Sequence, residues 1–143
     1  MNRTRLIAQL QLDEGFSPVA FWDNDQYSFG FGCRAEKEGD TITEEAALEL
    51  LKAEAEVAIA DFESIYSHCL FKINDARAEA LTNMAFNLGK TKLLKFRKMN
   101  AAIGRNDWLE AAYQAQESTW YKQVGKRAQR IVRELSTEEK ENG

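Results

Sequence analysis

Two carboxylates and one hydroxyl near the start of the chain have types and spacing that suit chemistry on a sugar. Glu14 ends an apolar run, and Asp23 follows nine residues later at the expected tip of a hairpin. Ser28 lies five residues further on, in the returning strand. Glycoside hydrolysis uses two acids in unlike settings, one to protonate the leaving oxygen and one to act on water or on the sugar carbon. The same spacing also occurs in an ordinary hairpin with surface acids, so spacing alone leaves both interpretations open.

A short helix is predicted ahead of the hairpin, over residues 3–13. Apolar residues recur there at helical spacing, and Gly15 supplies a stop. Glu14 therefore lies at the C-terminal end of a helix, where the dipole disfavours a negative charge. This position, together with apolar neighbours, favours the protonated carboxyl that a general acid needs.

The hairpin is predicted over about residues 19–34, with its turn at Asn24-Asp25. Side chains alternate between the two faces of a strand. The alternation puts three aromatic residues on a face expected to pack inward, namely Tyr27, Phe29 and Phe31. It puts three small residues on a bare face that a bulky ligand can approach closely, namely Ser28, Gly30 and Gly32.

The remainder of the chain is predicted to be helical. Thr43 is a suitable N-cap for a long helix over about residues 44–67. Asn or Asp residues at 74–75 and 106–107 are suitable starts for later helices. Three glycines are expected to end or interrupt helices, namely Gly89, Gly104 and Gly125.

Composition indicates one globular domain. The chain has 143 residues, of which 44% are hydrophobic and 29% are charged, and this length supports one sizeable core. No apolar run approaches the ~18 residues of a membrane span. The broken apolar pattern after Met1 predicts that there is no signal peptide. Cys33 and Cys69 are the only cysteines, which predicts free thiols in a reducing compartment such as the cytoplasm.

The net charge of −4 is unevenly distributed. Residues 1–70 contain 5 basic and 14 acidic side chains, whereas residues 71–133 contain 13 basic and 5 acidic ones. The asymmetry indicates two lobes and an anionic partner for the second. A nucleic acid is not the expected partner, because the sequence carries no recognition-helix or RNA-binding signature.

Four stretches, in order, resemble the phage-type lysozymes of glycoside hydrolase family 24. The first is Glu14-Gly15, followed by Asp23 and by the strand Ser28-Phe29-Gly30-Phe31-Gly32. The other three are residues 83–89 (NMAFNLG), residues 108–112 (WLEAA), and residues 118–123 (STWYKQ) followed by Arg127-Ala128. The resemblance covers about residues 5–133. Four motifs in the same order are far more specific than any one of them.

The resemblance implies an α+β, mainly helical, two-lobed lysozyme-like fold with a small antiparallel sheet in the N-terminal lobe. The N-terminal lobe and connecting helix would cover about residues 13–60. The helical C-terminal lobe would combine residues 61–135 with residues 1–12, and residues 136–143 would form a flexible tail. The implied reaction is cleavage of the β-1,4 bond between N-acetylmuramic acid and N-acetylglucosamine in peptidoglycan, with no cofactor.

The resemblance also assigns roles to particular residues. Glu14 would be the general acid, Asp23 would activate or orient water, and Ser28, where the family has Thr, would help to place that water. This arrangement implies inversion at the sugar carbon. Further matching positions are expected to bind substrate, namely Gly30, Asn83, Asn87, Gln114, Ser118, Trp120 and Arg127.

Two other residue types are expected to carry no chemistry. Cys33 stands where the family often has His, and a packed thiol is predicted there. His68 is the only histidine, and neither Cys-x-x-Cys nor His-Glu-x-x-His occurs, so no metal site is expected.

A phage endolysin is the role that the resemblance suggests. It would be a monomer that accumulates in the host cytoplasm, is not embedded in the membrane, and reaches the periplasm and wall through a holin. Two alternatives stay open. One is a virion-borne or bacterial wall-remodelling muramidase. The other is a catalytically silent module that binds peptidoglycan or a protein; the Ser at position 28 favours it, and the two retained acids oppose it.

Overall fold

The computed structural model describes residues 1–137. Its elements in chain order are α1 (Arg3–Glu14), β1 (Ser17–Asp23), β2 (Gln26–Gly30), β3 (Cys33–Ala35), α2 (Glu44–Ile65), a 3₁₀ turn (Leu70–Lys72), α3 (Asp75–Leu88), α4 (Lys90–Leu94), α5 (Arg97–Gly104), α6 (Trp108–Gln116), α7 (Thr119–Val124) and α8 (Lys126–Ser136). This confirms the predicted α+β, mainly helical class. The predicted tail begins with Ser136, which still belongs to α8, and residues 138–143 of that tail lie outside the described residues.

The chain divides into two compact units. The N-terminal unit is Arg3–Val57, and the C-terminal unit is Met1–Asn2 together with the chain from Ala58 onward. The sequence assigned residues 1–12 to the second lobe, whereas α1 groups with the N-terminal unit. The apolar stripe of α1 predicts that one face is covered, but it carries no information about which partner covers it.

The N-terminal unit contains a three-stranded antiparallel sheet in the order β1-β2-β3. Asp23 pairs with Gln26, so the hairpin turn is Asn24-Asp25, as predicted. Asn24 has a φ of 60°, a left-handed conformation that asparagine tolerates better than most residues. The turn therefore fixes where Asp23 stands at the end of β1.

The predicted assignment of faces in β2 is wrong. Ser28 is only 1% exposed and Gly30 is buried, whereas Tyr27 and Phe29 are half-buried. A Cβ at Gly30 would lie 2.9 Å from the Cβ of Ala47 in α2. Gly30 has no room for a side chain, because α2 packs closely against it. Strand alternation gives the period of two but does not say which face is inward.

Polar caps and glycines set the bounds of the helices. The Thr43 hydroxyl accepts a hydrogen bond from the Ala46 N–H at 3.2 Å, which confirms the predicted start of α2. Asn74 and Asp107 cap α3 and α6 through their side chains. Gly125 ends α7 with a φ of 74°, a conformation that glycine adopts at little cost.

The C-terminal unit has its own hydrophobic core, built from the buried faces of α3, α5, α6 and α8. Leu81 and Ile131 are fully buried, and Trp108 is 7% exposed. Each such side chain contributes about 1.5–3 kcal/mol on burial. Tyr66 is also fully buried, and its hydroxyl pairs with Asn100 Oδ1 at 2.6 Å. The unit is therefore a packed support for the polar residues on its surface.

Candidate active site

Glu14 is the last residue of α1 and is half-buried. The chain reverses immediately after it, because Gly15 has a φ of 68° and its N–H bonds to the Gln11 carbonyl at 3.0 Å. The chain then returns past Glu14 at Gly32, where an added Cβ would lie 3.0 Å from Glu14 Oε2. The carboxyl group of Glu14 therefore packs directly against the backbone of residue 32. This close approach explains why residue 32 is a glycine.

Asp23 lies in a different environment in the same unit. It is the last residue of β1 and is exposed to solvent. Its carbonyl accepts the Asp25 N–H at 2.8 Å, which holds the turn. The Asp23 side chain is exposed to solvent, whereas the Glu14 side chain is half-buried. The two acids have the unlike settings that the sequence predicted, while their catalytic roles stay predictions.

Ser28 is held by a neighbour on its own strand face. Gln26 Nε2 donates a hydrogen bond to Ser28 Oγ at 3.1 Å. Because Ser28 is only 1% exposed, this amide fixes the orientation of a nearly enclosed hydroxyl. The proposed role of Ser28 in placing water, and that of Gly30 in binding substrate, stay predictions.

Cys33 and Glu54 form a pair that sequence reasoning missed. The Cys33 thiol, 4% exposed, donates to Glu54 Oε1 at 3.4 Å. Burial raises the pKa of Cys33 to about 12, and the charges of Glu54 and Glu14 add to the shift. Desolvation also raises the pKa of Glu54, and the charge of Glu14 acts in the same direction. Glu14, Cys33 and Glu54 are therefore electrostatically coupled.

We expect Cys33 to be unreactive toward thiol reagents in the folded protein. With a pKa of about 12, roughly one molecule in ten thousand carries the thiolate at pH 8, and only the thiolate attacks. Glu54→Gln removes a charge that opposes ionisation, so it should speed alkylation of Cys33. Peptide mapping after timed iodoacetamide labelling measures this. Cys69, also buried, is the internal control, and equal acceleration at both cysteines would instead indicate loosening of the fold.

Four of the predicted substrate residues form two pairs in the C-terminal unit. Arg127 Nε donates to Asn83 Oδ1 at 2.8 Å, and Trp120 Nε1 donates to Asn87 Oδ1 at 2.8 Å. Asn83 and Trp120 are buried, whereas Asn87 is exposed and Arg127 is half-buried. Buried Trp120 orients the exposed Asn87, which leaves the Asn87 amide as a group able to meet a ligand.

Gln114 and Ser118 are both half-buried and already have partners within the chain. Gln114 Nε2 donates to Glu110 Oε1 at 2.8 Å. The Ser118 hydroxyl donates to the Ala115 carbonyl at 2.6 Å and accepts the Tyr121 N–H at 3.2 Å. Ser118 therefore has a structural role as the N-cap of α7, and any ligand contact would be additional to it.

Residues 1–137 contain no group of three or more His, Cys, Asp or Glu side chains placed to hold a metal ion. In the same residues, none of the helices combines the length and apolar character that crossing a bilayer requires.

The residues that sequence reasoning missed are of two kinds. Gln26 and Glu54 gain their importance from partners that only the folded chain brings near, and nothing in their sequence context marks them. Four cations between Lys92 and Lys98 line a pocket, and here a signal existed. Residues 71–133 carry the basic excess, and this segment is its densest part.

The fold, with a helix-end acid, an adjacent three-stranded sheet and a helical C-terminal unit, is an α+β lysozyme fold. The model of the phage lysozyme family matches residues 11–138. The chain therefore belongs to the phage lysozyme family.

Three curated proteins illustrate the relationship. The chain is 31% identical over 103 residues to "Probable T4-type lysozyme 2" of Dictyostelium discoideum, an alignment covering 71% of this chain and 61% of that protein. It is 29% identical over 98 residues to "Probable T4-type lysozyme 1" of the same organism, covering 67% and 58%. It is 38% identical over 60 residues to the pre-baseplate central spike protein Gp5 of Enterobacteria phage T4, covering 42% and 10%. The chain thus spans about three fifths of the length of the two Dictyostelium relatives.

Proposed function

We propose that the chain is an N-acetylmuramidase, which cleaves the β-1,4 bond between N-acetylmuramic acid and N-acetylglucosamine in peptidoglycan. The observation that carries this proposal is the setting of Glu14. It is a half-buried carboxyl at a helix C-terminus, packed against bare backbone at Gly32. Membership of the phage lysozyme family supports the assignment.

In the proposed mechanism Glu14 protonates the glycosidic oxygen as the bond breaks. Asp23, being exposed at the end of β1, polarises the attacking water. Ser28, oriented by Gln26, helps to place that water.

Digestion of purified peptidoglycan tests the reaction directly. The products are reduced with borohydride and analysed by mass spectrometry, and we expect muramitol at every new reducing end. Glucosaminitol in its place would show cleavage of the other glycosidic bond. Binding to peptidoglycan without any release would mean that the chain is a silent binding module.

We expect the first product to have the inverted, α configuration. An inverting enzyme holds its two carboxyl groups about 6.5–9.5 Å apart, which leaves room for a water, whereas a retaining enzyme holds them about 5–5.5 Å apart. Asp23 and Glu14 lie on different elements and differ in exposure, which favours a solvated base over a nucleophile. Proton NMR of fresh digests, recorded before mutarotation, gives the anomer. A β-anomer would make Asp23 the nucleophile of a retaining mechanism.

The proposed biological role is that of a monomeric phage endolysin, made in the host cytoplasm and admitted to the wall by a holin. Expression in bacteria should then cause lysis only when a holin, or chloroform, permeabilises the inner membrane. The similarity to a phage central spike protein favours a second candidate, a virion-borne muramidase. Finding the chain in purified virions, and not only in lysates, would support that second role.

A further inference from the structure

A cavity of about 730 Å³ opens on the C-terminal unit. It lies between the segment from Leu88 to Met99 and the segment from Gln114 to Thr119. Its volume is in the range of small-ligand sites, which is about 300–1,000 Å³. The two segments include Gln114 and Ser118, so the cavity belongs to the surface on which substrate is proposed to bind.

The cavity combines an apolar floor with a cationic rim. Leu88, Phe96 and Met99 supply apolar surface to its lining. Four cations line it, and all four are exposed, namely Lys92, Lys95, Arg97 and Lys98.

The rim charge is not neutralised by the part of the chain that the structure describes. Among residues 1–137, Glu117 is the only acidic residue in the lining, against four cations. None of the four cations forms an ion pair with any residue between 1 and 137. Four unpaired cations around one cavity make an electrostatic site for an anion, and carboxylates are bound well by Lys and Arg.

Peptidoglycan offers anions only in part of its structure. Its glycan strands consist of neutral sugars, since the lactyl carboxyl of muramic acid is used to attach the stem peptide. The stem peptides carry free carboxylates together with alanine methyl groups. A phosphate-bearing wall polymer would pair with the cations, but its polar polyol backbone would lie against the apolar floor of the cavity. The floor and rim together therefore fit a carboxylate-bearing peptide with small apolar side chains.

We propose that this cavity binds stem peptides through their free carboxylates, so that the chain discriminates by charge between free-acid and amidated peptidoglycan. The inference rests on the proposed muramidase function for its substrate. It concerns the cations of residues 92–98, which take no part in the proposed chemistry at Glu14 and Asp23. The expected consequence is a preference for walls whose stem carboxylates are not amidated.

Binding is tested first without hydrolysis, by NMR titration of the full chain with free-acid and amidated stem tetrapeptide. We expect the free acid to perturb the amide signals of residues 92–99 and 114–119. The pair Lys95→Gln/Lys98→Gln should weaken it about fivefold to tenfold, as expected for one or two exposed charge pairs. The control pair Lys72→Gln/Lys122→Gln removes the same charge from exposed lysines outside the cavity and should change affinity less than twofold.

Hydrolysis is then compared on peptidoglycan with free-acid and with amidated stems. The kcat/KM of the parent chain should be about fivefold to tenfold higher on the free-acid wall than on the amidated wall. The variant Lys95→Gln/Lys98→Gln should lose that preference. Equal losses in both lysine pairs would overturn the proposal, because they would reflect net charge alone. Tighter binding of a glycerol-phosphate oligomer or of duplex DNA than of the peptide would also overturn it.

The two proposals fail separately. If no wall is hydrolysed while the peptide still binds at the cavity, the muramidase function fails and the peptide site stands. If walls are hydrolysed at equal rates whatever their amidation, the muramidase function stands and the charge-selective site fails.

Discussion

Replacing Glu14 by Gln is expected to abolish lysis while leaving the fold intact. The amide keeps the size of the side chain but has no proton to give to the leaving oxygen. General acid catalysis is worth about 10²–10⁴-fold, so kcat should fall by that factor. Turbidity loss of outer-membrane-stripped Gram-negative cells, followed with purified protein, measures the rate. Binding to peptidoglycan should change much less, because the amide still fits against Gly32.

Glu49→Gln is the matched control for Glu14→Gln. Glu49 lies on α2 of the same unit, its side chain is 76% exposed, and its ion pair with Lys52 spans 3.5 Å. Such a surface pair contributes about 0–1 kcal/mol, so the control should retain full activity. Thermal unfolding of both variants separates loss of chemistry from loss of structure. Near-normal lysis by the Glu14 variant would show that another group is the acid.

The features of the fold that the sequence predicted correctly are those set by local interactions. The start of α2, the bounds of α3 and the turn at Asn24-Asp25 were predictable, because a cap or turn residue acts on backbone groups within a few positions. The stop at Gly15 was predictable for the same reason. Motifs with fixed order then led from elements to a family, since a shared fold constrains residues far apart in the chain.

What could not be predicted depended on packing between elements. Ser28 and Gly30 were assigned to an open face, but Ser28 is buried and α2 packs against Gly30. The alternation in β2 is symmetrical between its faces, so the inward one is known only once the position of α2 is known. The Cys33–Glu54 pair has the same origin, because its partners are 21 residues apart. Both misses lie where the sheet meets a helix.

The structure adds structural roles to two residues that the sequence assigned to substrate binding, and their ligand roles stay predictions. Trp120 and Ser118 were assigned to substrate binding from the resemblance. In the structure Trp120 is buried and holds Asn87, while Ser118 caps α7. A position shared by a family can serve the fold, the ligand or both, and only contacts and exposure separate these uses.

Gly32→Ala is expected to reduce activity much more than its effect on stability would suggest. Gly32 has a φ of 80°, and an added Cβ would meet Glu14 Oε2 at 3.0 Å. The carboxyl group, being the flexible end of a side chain, must then move by a few tenths of an ångström. Small misplacements of a catalytic group are expensive, with about 10²-fold lost for 1 Å. We therefore expect kcat to fall about threefold to tenfold.

Gly39→Ala separates this contact from backbone strain. Gly39 has a φ of 84°, almost the same conformation, but a Cβ there would meet nothing within 4 Å. Both substitutions place alanine in the left-handed region and should cost about 1–2 kcal/mol of unfolding free energy. Only the Gly32 variant should lose activity, measured as kcat on peptidoglycan at a temperature where both variants are folded. If the two variants lost activity equally, strain would account for the effect, and the close approach of Gly32 to Glu14 would have no part in positioning the acid.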